Sequence, residues 1–108
     1  MADPGYPCNR TFVRTLEGEP VGIPVDADSR YQLTAGLVES RWTPRTRAVL
    51  VASPSNPTGT TMPRDELARN AAFVADRGRQ LVVDEIYLGL SYDLAPGARP
   101  ASALALSD

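Results

Sequence analysis

Two stretches decide the fold: residues 49–59, with the sequence VLVASPSNPTG, and residues 81–87, with the sequence LVVDEIY. Each begins as a short apolar run and ends in polar residues. A nearly continuous apolar run is typical of a strand that is covered on both faces, as in a parallel sheet. We therefore expect strands over residues 48–53 and 80–84, with one helix-length segment between them. This order predicts a βαβ unit at about residues 48–84 and an α/β fold.

The helix between these strands is the clearest in the chain. It is predicted to begin at Met62 or Pro63 and to have Arg77 in its last turn, before Gly78. Proline suits the first turn of a helix, a basic residue suits the last turn, and glycine commonly follows the end. Helical spacing predicts that its buried face consists of Leu67, Ala71 and Val74.

Ten Pro and eight Gly divide the rest of the chain into short elements. Residues 3–7, DPGYP, predict a turn, and the apolar spacing after it predicts a helix over residues 8–17. Residues 21–25 predict a short strand at a sheet edge, because proline lies at each side. Thr34 is expected to cap a short helix through Arg41. Residues 90–92 predict one further short strand.

The composition excludes several classes of protein. The 108 residues carry 11 basic side chains, all of them arginine, and 13 acidic ones, without a basic run that would bind nucleic acid. No apolar stretch approaches the roughly 18 to 20 residues that cross a bilayer, and no signal peptide is recognisable. We expect at most one domain, cytoplasmic, without nucleic-acid or membrane partners and without a metal site. The single cysteine, Cys8, is expected to be a small buried hydrophobe.

Polar residues follow directly on both predicted strands of the βαβ unit. In open α/β sheets, ligands bind outside the carboxyl ends of the strands. If the two strands are neighbours or nearly so, Asn56 and Asp84 lie within one or two strand spacings of about 4.8 Å each. Both side chains are then close enough to contact a single heteroaromatic ring.

Four sequence blocks together resemble the class I/II aminotransferases, which are fold-type I enzymes dependent on pyridoxal 5′-phosphate. The blocks occur in the family's order and spacing: DPGYP at 3–7, GEPV at 18–21, SPSNPTG at 53–59 and VVDEIY at 82–87. The motif NPTG alone is weak, because it is a good turn sequence anywhere. The resemblance implies that residues 1–108 are an incomplete cofactor-binding large domain with a mostly parallel sheet.

The resemblance implies cofactor-binding roles for four side chains. Asp84 resembles the carboxylate that faces the pyridine nitrogen and keeps it protonated, as an electron sink requires. Asn56 and Tyr87 resemble the residues that donate hydrogen bonds to the phenolic oxygen, and Tyr6 resembles the aromatic residue that stacks on the ring. The structural alternatives are a loop acid, a turn amide, a core tyrosine and a packing tyrosine. Glu85 is expected to point to the other face of the strand, and the Asn56–Pro57 peptide is expected to be cis.

The resemblance also implies residues that this sequence lacks. Family members hold the cofactor through a Schiff-base lysine that also moves the substrate proton, and this chain contains no Lys. Arginine cannot replace that lysine near neutral pH. We therefore expect an internal portion, roughly a quarter, of a larger aminotransferase, inactive by itself. The intact family member is expected to be a homodimer acting on an amino acid and a 2-oxo acid.

Three other functional classes share parts of this sequence pattern with the aminotransferases. A fold-type I lyase acting at the β or γ carbon would use the same cofactor residues. A noncatalytic interaction domain would keep the fold without the chemistry. A phosphate-loop ATPase also has an apolar strand that ends in acidic residues, but the Gly-x-x-x-x-Gly-Lys-Ser/Thr loop is absent from this sequence. Transamination is therefore the first expectation, and the lyase and the interaction domain are the alternatives.

Overall fold

A computed structural model describes residues 1–92, 94–95, 97–98 and 102–106. These residues form an α/β structure in which the strands pair in parallel, two by two. The strands are β1 Ala2–Asp3, β2 Ile23–Pro24, β3 Ala48–Ala52 and β4 Gln80–Asp84; the helices are α1 Cys8–Thr15, α2 Ala35–Ser40 and α3 Arg64–Ala75, followed by a 3₁₀ turn at Ala103–Leu106.

The predicted βαβ unit is confirmed. β3 and β4 are direct neighbours, with Ala48 opposite Gln80 and Ala52 opposite Asp84. α3 connects them and begins directly after Pro63, as predicted. It ends at Ala75, so Arg77 lies beyond the helix and not in its last turn.

The buried face of α3 differs from the prediction at one position. Leu67 and Val74 are buried as expected, but the third buried residue is Asn70 rather than Ala71. The Asn70 side-chain amide donates to the carbonyl oxygens of Leu33 and Glu66, each at 3.0 Å. These bonds satisfy the nitrogen of the buried amide in place of water, whereas its Oδ1 is buried without a hydrogen-bond partner among the described residues. Helical spacing of apolar residues could not reveal it.

The sheet is covered on one face only within the described part of the chain. Val49 and Val51 of β3 are buried, whereas Val82 of β4 is 47% exposed. The coverage on both faces that is predicted for residues 48–53 is incomplete, because Leu50 on the other face of β3 is only half-buried. The buried apolar core consists of Ile23, Val25, Leu33, Val38, Val49, Val51, Met62, Leu67 and Val74.

Of the two strands in the N-terminal pair, the sequence predicts β2 but not β1. The strand expected over residues 21–25 is present but shorter, and it pairs in parallel with β1, which the sequence had suggested to be part of a turn. The backbone N–H groups of Ile23 and Val25 donate to the carbonyls of Met1 and Asp3 at 2.9 and 3.0 Å. The intervening Pro24 has no N–H to donate, so this is the kind of short edge strand in which proline is tolerated.

The first helix ends earlier than predicted. α1 stops at Thr15, two residues before the expected end, and Glu17 adopts a φ of 58°. The backbone N–H of Gly18 donates to Val13 O at 2.9 Å. A Cβ at Gly18 would lie 2.8 Å from Val13 Cγ1, so the close return of the chain requires glycine there.

The second helix is confirmed, and the last predicted strand is wrong. Thr34 Oγ1 accepts a hydrogen bond from the backbone N–H of Leu37 at 3.2 Å, and α2 runs to Ser40 with Arg41 as its C-cap. Residues 90–92 form no strand. Leu90 instead closes a turn by donating its N–H to Tyr87 O, and its side chain is exposed. Of the helices in the described residues, none is long and apolar enough to span a membrane.

Candidate functional site

The carboxyl ends of β3 and β4 lie side by side. The backbone N–H of Ser53 donates to Asp84 O at 3.0 Å, so the pairing continues one residue past the end of β3. The Asn56 loop and the segment after Asp84 therefore leave the sheet from adjacent strands, about 4.8 Å apart. This confirms the neighbouring strand ends on which the predicted crevice depends.

The loop that carries Asn56 is closed by its own backbone. The N–H of Ser55 donates to Thr60 O at 2.9 Å, and the N–H of Gly59 donates to Ser55 O at 2.7 Å. Ser53 Oγ accepts from the N–H of Met62 at 2.9 Å. Gly59 adopts a φ of 68°, which glycine tolerates without strain. The Asn56–Pro57 peptide is cis, as predicted.

Asn56 and Asp84 both keep hydrogen-bonding capacity. Asn56 is half-buried, and its carboxamide has no hydrogen-bond partner in the part of the chain that the structure describes. The half-buried Asp84 accepts one bond at Oδ1, from the N–H of Ile86 at 3.2 Å. The five ion pairs found among the described residues all involve other acids. An amide donor and an unpaired carboxylate thus stand at adjacent strand ends.

Tyr6 joins Asp84 and Tyr87 in one electrostatic neighbourhood. The pKa of Tyr6 is raised above its ordinary value of 10.0, first by a hydrogen bond with the Cys8 side chain and by the charge of Cys8, and further by Tyr87 and Asp84. Both tyrosines are 39% exposed. Asp84 and Tyr87 therefore both act electrostatically on the hydroxyl of Tyr6.

Cys8 was not expected in this neighbourhood. It is half-buried rather than fully buried, it begins α1, and it contributes to the raised pKa of Tyr6. The sequence signal that could have indicated this was the spacing of two residues between Tyr6 and Cys8. The prediction of a simple buried hydrophobe is wrong.

A small hollow of about 20 Å³ lies next to Tyr6. Its walls also include Gly5, Asn9, Gln32 and Ser55. Asn56, Asp84 and Tyr87 do not line this hollow. Asn56 and Asp84 are related through the paired strand ends and not through a shared wall of this hollow.

Glu85 makes structural contacts and is not paired with the other site residues. Its two carboxylate oxygens accept from the N–H of Ala103 at 2.7 Å and from the hydroxyl of Ser102 at 2.9 Å. Glu85 therefore fastens the C-terminal 3₁₀ turn to the end of β4. Across the described ranges, no group of three or more Cys, Asp or Glu side chains is arranged to hold a metal ion.

The family description "Aminotransferase class I and II" matches residues 1–106. The chain belongs to this family. It is 45% identical over 96 residues to a valine–pyruvate aminotransferase of Mycobacterium tuberculosis, covering 89% of this chain and 24% of that protein. It is 36% identical to a probable aspartate/prephenate aminotransferase of Aquifex aeolicus, covering 83% of this chain and 23% of the relative.

A solved structure supports the same family membership. The crystal structure of an aminotransferase from Mycobacterium tuberculosis superposes with a TM-score of 0.85 at 40% identity, covering all of this chain and 28% of that one. The chain thus spans about a quarter of the length of its relatives. Its α/β structure with parallel strands is that of a fold-type I aminotransferase. The family is generally dependent on pyridoxal phosphate.

The residues present fit the noncovalent part of such a cofactor site. Asp84 offers a carboxylate without an arginine partner, Asn56 offers an unpaired amide, and the two tyrosines expose ring surface. A positively charged ring nitrogen would supply the counter-charge that Asp84 lacks in the described residues. These residues cannot supply the covalent attachment of the cofactor, because the sequence contains no Lys.

Proposed function

We propose that this chain forms part of the cofactor pocket of a pyridoxal-phosphate-dependent aminotransferase, which transfers an amino group between an amino acid and a 2-oxo acid. The observation that carries the proposal is the in-register parallel pairing of β3 and β4, which brings the loop of Asn56 beside the strand that ends at Asp84. The position of Tyr6 in the electrostatic surroundings of Asp84 and Tyr87 supports it.

Asp84 is proposed to hold a proton at the pyridine nitrogen. Pyridoxal phosphate, when bound, supplies an electron sink for the charge that develops on the substrate carbon, and this requires a protonated ring nitrogen. The carboxylate of Asp84 accepts one backbone hydrogen bond, which leaves its second oxygen available for the ring N–H. A charge-assisted bond of this kind contributes on the order of 1.5 to 3 kcal/mol.

Asn56 and Tyr87 are proposed to donate hydrogen bonds to the phenolic oxygen of the ring. Both groups are neutral donors, so they stabilise negative charge at that oxygen without changing the net charge of the pocket. Tyr6 is proposed to stack on the ring face, which adds roughly 0.5 to 1.5 kcal/mol. The ring of Tyr6 is uncharged at neutral pH, as for any tyrosine whose pKa is not lowered.

The wider setting of the site is proposed from the family. Residues 1–108 are then a partial large domain, and the lysine, the small domain and the second subunit of a cytoplasmic homodimer lie outside this sequence. Nucleic acid and membranes are not proposed as partners. Relatives named for valine and pyruvate and for aspartate or prephenate both match this chain, so we propose the substrate class only. Their names favour transamination over a lyase reaction.

Titration of pyridoxal phosphate into the chain tests this function. Absorbance of the cofactor reports binding, and Asp76→Asn is the matched control because Asp76 caps the opposite end of α3, away from the strand ends. We expect the unmodified chain and Asp76→Asn to bind alike, and Asp84→Asn to bind about tenfold or more weakly. Equal binding by all three would reject the role of Asp84. Absence of binding in all of them would favour the noncatalytic interaction domain.

A further inference from the structure

Gln32 is a buried polar residue that the proposed site does not use. It is 4% exposed and lies two residues before the cap of α2. Its side-chain Nε2 donates to Thr60 O at 2.8 Å and approaches Thr60 Oγ1 at 3.1 Å. A buried amide is stable only where such bonds replace water, so both contacts are needed to keep it there.

Thr60 is the residue at which the Asn56 loop closes. Its carbonyl oxygen, which accepts from Gln32, also accepts from the N–H of Ser55 at 2.9 Å. Its hydroxyl lies 3.0 Å from the hydroxyl of Thr58, inside the same loop. Asn56 is therefore held in a closed loop whose base is bonded to Gln32.

Gln32 is itself attached to a fixed backbone. Its N–H donates to Ser29 O at 3.0 Å, and the N–H of Tyr31 donates to Asp26 O. The next residue, Leu33, is buried, and its carbonyl accepts from the buried amide of Asn70 on α3 at 3.0 Å. The contact from Gln32 to Thr60 thus connects the Asn56 loop to the main helix of the βαβ unit.

We propose that Gln32 is a positioning residue for Asn56. It holds residues 55–60 so that the carboxamide of Asn56 stays at the carboxyl ends of β3 and β4, and it acts through Thr60 without touching a cofactor or a substrate. Preorganising a donor in this way removes the entropic loss of ordering the loop when a ring binds. The part of this inference that concerns cofactor affinity rests on the proposed function; the part that concerns loop order does not.

Hydrogen exchange of the full chain, with no ligand added, tests the loop directly. Gln32→Met removes both donated bonds at similar side-chain length, and Gln80→Met is the matched control at the exposed start of β4. We expect exchange at Ser55 and Gly59, measured in peptides spanning residues 53–62, to become about tenfold faster in Gln32→Met only. Exchange in the peptides of β3 and α3 should not change. Unchanged exchange at residues 53–62 would overturn the proposal.

A second variant distinguishes a local effect on the loop from a general loss of stability. Thr60→Val removes the hydroxyl contacts but leaves the carbonyl that accepts from Gln32 and Ser55. It should accelerate exchange in the same peptides by about threefold, less than Gln32→Met does. Acceleration spread evenly over β3 and α3 in both variants would show a general loss of stability and would contradict a positioning role.

Cofactor affinity then tests whether Gln32 acts through Asn56. Gln32→Met is expected to weaken binding of pyridoxal phosphate about tenfold in the native sequence and less than about twofold when Asn56→Ala is already present. An equal loss in both backgrounds would reject action through Asn56. If the unmodified chain binds no pyridoxal phosphate, the proposed function fails, and the exchange measurement alone decides the loop inference.

Discussion

The helices α1 and α3 both carry apolar residues at helical spacing but have different surroundings in the structure. Leu67 and Val74 of α3 are buried in the apolar core of the structure. α1 buries none of its residues, and Phe12 on its apolar side is 59% exposed. Periodicity therefore predicts which side chains share a face of a helix. It does not predict whether the same chain covers that face.

The candidate site draws its residues from two regions that also differ in packing, namely the βαβ unit and the segment before α1. Asp84 and Asn56 come from the βαβ unit, where strand register fixes the backbone of Asp84 and the hydrogen bonds of the closed loop fix that of Asn56. Tyr6 lies two residues before the uncovered helix α1, and its carbonyl oxygen accepts from the N–H of Asn9 at 3.2 Å. The βαβ half of the site is thus set by packing, and the N-terminal half by a few surface contacts.

The largest expected effect is the loss of stability when an apolar side chain of α3, but not one next to α1, is truncated. Leu67→Ala on α3 should lower the free energy of unfolding by about 2 to 5 kcal/mol, because it leaves a cavity in the core. Leu16→Ala, just after α1, should change it by less than about 0.5 kcal/mol, because Leu16 is 83% exposed. Denaturant unfolding measures both. Comparable losses would mean that the apolar side of α1 is as well packed as that of α3.

The buried amide of α3 gives the next largest effect. Asn70→Ala leaves the buried carbonyl of Leu33 without its donor, so we expect a loss of about 1 to 3 kcal/mol in the free energy of unfolding. Asn9→Ala in α1 is the matched control and should change stability by less than about 0.5 kcal/mol. A neutral Asn70→Ala variant would show that the contact between α3 and Leu33 is not needed for stability.

Helix capping gives a smaller contrast. Thr34 caps α2 with its side chain, whereas α1 has no side-chain cap. Thr34→Ala should lower the free energy of unfolding by about 1 kcal/mol. Thr11→Ala, within α1, should be neutral or slightly favourable because alanine is the better helix former. Equal effects of the two substitutions in thermal unfolding would contradict the capping role of Thr34.

The smallest expected effect is on the pH titration of Tyr6. Its raised pKa favours the neutral form in the folded state, so the stability from this group is fully present below pH 10 and is lost as pH rises through the folded pKa. Absorbance of tyrosinate should show a late-ionising component that disappears in Tyr6→Phe and moves towards 10.0 in Cys8→Ala. Persistence of that component in Tyr6→Phe would assign it to another tyrosine.

The elements that could be predicted from sequence are those set by neighbours along the chain. The apolar runs of β3 and β4, the cap at Thr34 and the start of α3 after Pro63 all follow local rules. Asn70 and Gln32 were missed because their partners lie 37 and 28 residues away. β1 was missed for the same reason, since a two-residue strand exists only through its partner. The strand predicted at residues 90–92 has suitable residues, but the described part of the chain offers no neighbouring strand with which it pairs.

The protonation state of the ring nitrogen tests the central claim most directly. Nitrogen NMR of pyridoxal phosphate that carries an isotope label in its ring distinguishes a pyridinium from a neutral pyridine when the cofactor is bound to the chain. We expect a pyridinium signal with the unmodified chain near neutral pH and a neutral signal with Asp84→Asn. A neutral ring on the unmodified chain, or a pyridinium that persists in Asp84→Asn, would contradict the proposal that Asp84 holds this proton.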